Sequence, residues 1–157
     1  LYSSTNALHP DVWPSLRKFE SEVVAMSLRM LNGGADSCGL LTSGGTESLV
    51  MAVKAYRDWG AATKGIRRAE VVAPVTAHAA FDKAANFLGV KVHWCPVRES
   101  DQKCDIDAMA RLINSNTVLL VGSAPEYCHG KAGNKCFFLR FSRFLFFFLC
   151  SFFLRYR

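Results

Sequence analysis

The spacing of hydrophobic and polar positions changes several times over the first 130 residues of this 157-residue chain. Leu16, Phe19, Val23, Met26 and Met30 recur at three- and four-residue steps, which predicts a helix over 14–31 with these side chains on one face. Asn32-Gly33-Gly34 then offers glycine for a left-handed cap. The short apolar stretch Gly39-Leu40-Leu41 leads through a loop of small residues into a second predicted helix over 46–62. Its stripe is Leu49, Val53 and Tyr56, with Val50 beside it. Beyond it lie a buried strand over 71–74, a helix over 78–88, a strand over 90–94, a helix capped by Asp105 or Asp107 and reaching 113, and a strand over 117–121. Strands alternating with helices in this way make βα units, so the predicted class is α/β with a mainly parallel sheet.

The pattern ends at Gly130. Residues 131–157, KAGNKCFFLRFSRFLFFFLCSFFLRYR, hold nine of the twelve Phe and show neither strand alternation nor a helical stripe. Their longest near-uninterrupted apolar stretch, 144–154, is too short to span a bilayer unaided. Gly130-Lys131 is encodable as GGT-AAG, which contains a splice-donor-like GTAAG, and T-rich intron sequence translates largely into Phe, Leu, Ser and Cys. The expectation is therefore an aberrant segment over 131–157 produced by intron read-through. The start at Leu1 and the polar LYSSTNALHPD suggest a missing natural N-terminus and no signal peptide.

Charge changes the picture little. The formal +6 comes entirely from six Lys and Arg after residue 130, and the thirteen basic and thirteen acidic residues before it cancel. That balance gives the body no nucleic-acid footprint. The six cysteines have no C-x-x-C spacing and none lies at a zinc-finger interval from a His, which favours buried thiols over a disulfide framework or a metal site.

The candidate chemistry lies in the loops after the strands. Thr42-Ser43-Gly44-Gly45-Thr46-Glu47-Ser48 opens a helix on exposed amides and hydroxyls. A helix N-terminus carries unpaired N–H groups and a partial positive charge, so Gly44, Gly45 and Thr46 sit where an α/β fold holds an anion. The stretch lacks the Gly-Lys-Ser/Thr ending of a Walker loop and the G-x-G-x-x-G dinucleotide fingerprint. A tight turn with a Ser/Thr cap explains the same residues. His78, at a strand end, is either a capping residue or an imidazole able to stack on a heteroaromatic ring. Asn6 and His9 read as a turn before the first helix, and Ser123-Ala124-Pro125-Glu126-Tyr127 as a further lining of the same edge. His93 and Trp94 read as packing residues.

Together, NALHPDVWPSLRKFESEVVAMSLRMLNGG, DSCGLLTSGGTESLVMAVKAYRDW, APVTAHAAFDKAA and NTVLLVGSAPEYCHG resemble, in order, the pyridoxal-phosphate lyases and decarboxylases of the type I aminotransferase fold. Within that group the likeness is strongest to the lyases of sphingoid base phosphates, and it covers nearly all of 5–130. It implies a partial cofactor domain over 1–130 binding pyridoxal 5'-phosphate. Gly45 and Thr46 would hold the cofactor phosphate and His78 would stack on its ring, while Asn6 and His9 would lie near the phosphate of a sphingoid base phosphate substrate. The implied reaction is a retro-aldol cleavage to a fatty aldehyde and phosphoethanolamine.

The resemblance also implies a homodimer and, for eukaryotic members, an N-terminal anchor in the endoplasmic reticulum membrane with the catalytic domain on the cytosolic face. Its Schiff-base lysine and the aspartate partner of the pyridine nitrogen fall beyond Gly130. No catalytic residue is therefore assigned, and this chain by itself is expected to be inactive. The sheet would also be cut at an exposed edge, an aggregation hazard. An amino-acid decarboxylase of the same group and a non-catalytic truncated product are the alternative readings.

Overall fold

The computed structural model describes residues 3–123 and 125–131, together with the backbone of 152–155. In chain order the elements are α1 (Pro14–Met30), β1 (Cys38–Leu41), α2 (Gly45–Lys64), β2 (Glu70–Pro74), α3 (Ala80–Leu88), β3 (Lys91–Cys95), α4 (Ile106–Leu112), β4 (Thr117–Leu120) and β5 (Phe152–Arg155). The chain is α/β, as the alternation of periods predicts. Parallel strands in the order β3-β2-β4 form the central sheet, and β1 pairs with β5 in a separate antiparallel ribbon. β5 lies in the Phe-rich segment, where the sequence pattern predicts no element. Its three apolar residues are consecutive rather than alternating and end at Arg155, a pattern that periodicity does not detect.

Helices cover both faces of the central sheet. Val71, Ala73, Leu119 and Val121 pack with Leu49, Val53 and Tyr56 of α2 and with Ala80, Phe81 and Ala84 of α3. On the opposite face Val72, Leu120 and Cys95 pack with Ile106, Ala108 and Met109 of α4. Burial on both sides explains why β4 is apolar at every position but its first, and β2 from its second residue onward. A register shift between Glu70 and Val71 pairs them with Thr117 and Leu119, skipping Val118 and turning it toward α2. There α2 approaches closely: a Cβ added to Gly60 would lie 2.6 Å from Val118 Cγ1.

Local chemistry sets the boundaries. Gly65 (φ 66°) and Gly89 (φ 63°) give α2 and α3 left-handed C-caps. Asp105, rather than Asp107, caps α4 by accepting hydrogen bonds at 3.0 Å from the amides of Asp107 and Ala108.

Two expectations, the glycine cap and the buried thiols, need correction, and the apolar face of α1 finds no cover among the described residues. Asn32 (φ 54°), not a glycine, takes the left-handed conformation after α1, as a short polar side chain allows. The α1 face is not buried: Phe19, Met26 and Met30 are 57%, 55% and 76% exposed, because no described element packs over them. Leu16 and Val23 are half-buried, and the buried residue of α1 is Ser27, whose hydroxyl donates to Val23 O at 2.8 Å. The thiols are not uniformly buried either. Cys95 is buried and Cys104 half-buried, but Cys38 and Cys128 are exposed; Cys136 and Cys150 lie outside the described residues.

Candidate functional site

The C-terminal ends of parallel strands, where chains leave the sheet for the next helix, are where open α/β sheets hold ligands. α3 starts just past the end of β2, and its first turn shares a core cluster with Leu49 in the first turn of α2.

The loop into α2 is held by its own side chains. Glu47 turns back to accept from Ser43 N at 2.6 Å, a close variant of the capping box. Hydrogen bonding from the Ser43 side chain, and then from its amide, holds the Glu47 carboxyl below its ordinary value. Thr42 Oγ1 and Ser48 Oγ lie 2.6 Å apart, and Ser48 N donates to Gly44 O at 3.1 Å, closing the first turn. Gly45 and Thr46 follow the N-cap Gly44, so their amides belong to the turn that has no intrahelical acceptor. No atom lies within 4 Å of where a Cβ would stand on Gly44 or Gly45. The glycines therefore keep open space in front of donating amides, and side chains there would fill it. This fits an anionic group such as a phosphate.

His78 is exposed in the turn between β2 and α3, and its Nδ1 accepts from Ala80 N at 3.0 Å. The bond leaves the ring proton on Nε2 and fixes the side chain at the mouth of α3, where it ties down the helix start. Asn6 and His9 form the predicted turn. Asn6 Oδ1 accepts from Leu8 N at 3.0 Å, His9 N donates to Asn6 O at 3.2 Å, and the side chains sit at the surface ahead of α1.

A shallow pocket opens at the same strand ends, between Pro74 and Thr76 after β2, Val121 and Ser123 after β4, and Cys104 and Glu126. Ser123 and Glu126 thus line the edge as expected, whereas Tyr127 is wholly exposed. Gly45, Thr46 and His78 are not in its wall. Glu126 is buried, and its carboxylate accepts from Cys128 N at 2.8 Å and His129 N at 2.6 Å and meets His129 Nδ1 at 2.9 Å. Those bonds outweigh burial and hold its carboxyl below the ordinary value.

Sequence reading missed that cluster, although the Glu126–His129 spacing of three is a visible signal. It also missed Glu70, whose Oε2 meets His93 Nε2 at 2.6 Å and accepts from Asn114 Nδ2 at 2.7 Å. His93 is therefore a hydrogen-bond partner of Glu70 at the opposite end of the sheet rather than simple packing, and Trp94 is partly exposed. Among the described residues no three His, Cys, Asp or Glu side chains cluster as metal ligands, and no helix is long and apolar enough to cross a membrane.

A doubly wound α/β unit with a glycine-opened helix start and a histidine at the strand ends is the class of fold that the chain defines. The chain belongs to the aminotransferase class-V family, which it matches over residues 26–132. It is 53% identical over 132 residues to sphingosine-1-phosphate lyase 1 of Rattus norvegicus, covering 82% of this chain and 22% of that protein. The sphingosine-1-phosphate lyase structure of Burkholderia pseudomallei superposes with a TM-score of 0.81 at 36% identity, over 92% of this chain and 35% of that one. Glutamate decarboxylase of Lactobacillus brevis superposes with a TM-score of 0.75 over 89% of this chain and 34% of that one, at 15% identity, a likeness of fold alone. The chain thus spans about a fifth of the length of the rat enzyme (22%).

Proposed function

We propose that this chain is part of a pyridoxal-phosphate-dependent carbon–carbon lyase that cleaves sphingoid base phosphates to a fatty aldehyde and phosphoethanolamine. The observation that carries the reading is the contrast in identity at a shared fold: 36% to the bacterial sphingosine-1-phosphate lyase, against 15% to the glutamate decarboxylase.

Pyridoxal phosphate, the cofactor of this family, supplies when bound an electron sink for the pair released as the carbon–carbon bond breaks. The chain's residues bind and orient. The amides of Gly45 and Thr46, with the Thr46 hydroxyl, would hold the phosphate against the positive end of α2. His78, fixed through Nδ1, would lay its ring beside the cofactor ring and keep the Nε2 proton for a hydrogen bond. Asn6 and His9 would approach the substrate phosphate, and Ser123 and Glu126 would wall the strand-end pocket. The lysines of the helices are engaged on the surface: Lys18 with Glu22, Lys54 with Asp58, Lys64 over Trp59 and Lys83 over Phe87. We infer that residues 1–157 do not turn over substrate by themselves. The whole protein is further proposed to be a homodimer at the endoplasmic reticulum membrane with this domain on the cytosolic face.

The test is an assay of the complete protein with sphingosine 1-phosphate and, separately, with glutamate. Phosphoethanolamine and a long-chain aldehyde from the first, with no carbon dioxide from the second, is the expected result. Glutamate decarboxylation without aldehyde release overturns the reading. For the 157-residue chain, substrate turnover in an unreduced sample, lost on borohydride reduction that leaves a lysine adduct, would show that it carries its own catalytic lysine.

A further inference from the structure

Between β3 and α4 the chain makes a tight excursion that returns it to its starting point. Val97 and Cys104 pair as an antiparallel bridge, Arg98 N donates to Lys103 O at 2.8 Å, and Asp105 N donates to Pro96 O at 3.1 Å. Gln102 turns the chain at φ 57°, and its amide donates to Arg98 O at 2.9 Å. Asp101 pins the turn by accepting from Arg98 Nε and Lys103 N, each at 3.1 Å. The product of this scaffolding is a thiol pair. Cys104 Sγ donates to Cys95 Sγ at 3.6 Å, and Cys95 Sγ donates to Asp105 O at 3.1 Å. Cys95 is wholly buried, while Cys104 is half-buried and forms part of the pocket wall. Neither sulfur has a role in holding the cofactor.

We propose that Cys95 and Cys104 form an oxidisable dithiol, a modification site at which a small-molecule disulfide of the glutathione type closes the pair into an intramolecular disulfide. The geometry carries this. From 3.6 Å the sulfurs must approach by about 1.5 Å to reach the S–S bond length of about 2.05 Å, a side-chain movement rather than a change of fold. The excursion has already brought the two residues together, so little loop-closure entropy remains to oppose the bond. Cys38 and Cys128 are exposed and are shown with no thiol neighbour among the described residues.

Access sets the order of events. The Cys104 sulfur, at the pocket wall, attacks the incoming disulfide. It gives its proton to water as it does so, and the first glutathione leaves as a thiolate that takes a proton from water. Cys95 then gives its proton to water and attacks Cys104 Sγ, displacing the second glutathione. Two protein thiols are oxidised and one disulfide is reduced to two thiols. The hydrogen bond from Cys104 holds the Cys95 thiol below its ordinary pKa and pushes that of Cys104 up, which suits Cys95 to act as the closing nucleophile. The bond would draw Gln102–Cys104, one wall of the pocket, against the end of β3.

The test treats the full chain with oxidised glutathione, blocks remaining thiols with maleimide, digests with trypsin and weighs the peptides. Cleavage after Lys91, Arg98, Lys103 and Arg111 places Cys95 in peptide 92–98 and Cys104 in peptide 104–111. The expected product is these two peptides joined, roughly tenfold or more above any pairing with Cys38 or Cys128, because thiols held in contact have a high effective concentration. A guanidinium-unfolded sample supplies the random-pairing yield, and equal yields with and without denaturant overturn the proposal. Cys95→Ser should leave a stable glutathione adduct on Cys104. Cys104→Ser should leave Cys95 unmodified while Cys38 and Cys128 react. An adduct on Cys95 in that variant overturns the order of attack.

Discussion

α1 and α2 carry the same kind of amphipathic pattern and meet different fates. The α2 stripe of Leu49, Val53 and Tyr56 is sealed between the central sheet and α3, whereas Phe19, Met26 and Met30 of α1 stand in solvent. The difference lies in what each helix has to pack on. α2 follows one strand and covers the apolar stretches of β2 and β4, while α1 rests on the short β1–β5 ribbon and is tied to it by Leu41 N donating to Glu20 Oε1 at 3.3 Å. Periodicity announces a face, and only the tertiary partner decides whether that face is a core.

Substitutions that strip or crowd each helix should separate the two cases. Leu49→Ala removes a side chain that is 1% exposed in the main cluster and should cost roughly 2–5 kcal/mol, read as a lower urea midpoint. Gly60→Ala should also destabilise. Overpacking against stiff, buried Val118 costs about 1–3 kcal/mol, and alanine's better helix propensity returns about 1 kcal/mol. Combining it with Val118→Ala should recover part of that loss, and a double variant no better than Gly60→Ala alone would mean the close approach is not the cause.

Acid should act on the sheet's other end. Hydrogen bonds from Asn114 and then His93 lower the Glu70 pKa in the folded chain, so this contribution is present at neutral pH and is lost as pH falls below the ordinary carboxylate range of about 4. In Glu70→Gln that part of the acid dependence of the urea midpoint should be smaller. The least effect is expected on α1. Phe19→Ser with Met26→Ser should shift stability by no more than about 0.5 kcal/mol, as for other surface changes, and a loss comparable to Leu49→Ala would mean the face is covered in solution.

Much of the central sheet was legible because its residues declare themselves locally. β2 and β4 are unbroken apolar runs bounded by turns, α2 keeps a strict stripe, and Asp105 stands where a cap belongs. The glycine-opened start of α2 was legible too, since residue type alone supplies free amides and space. What stayed hidden depends on contacts between distant positions. The bulge that turns Val118 toward Gly60 arises from pairing with β2, and the Glu70–His93–Asn114 cluster joins three segments distant in sequence. Cys95 and Cys104 share no spacing motif. They meet because Asp101 and Gln102 fold the intervening chain back. β5 was hidden for another reason: three apolar residues followed by Arg155 have no period to read.

The ribbon of β1 and β5 exchanges no ladder hydrogen bonds with the three central strands, and this sets a clock as well as a shape. Amides of Gly39–Leu41 can surrender their protons to heavy water by a local opening that leaves Val71, Val72 and Leu120 in place. Isotope uptake should therefore proceed in two phases, the ribbon first and the central sheet last, with the loop that opens α2 joined to the faster side.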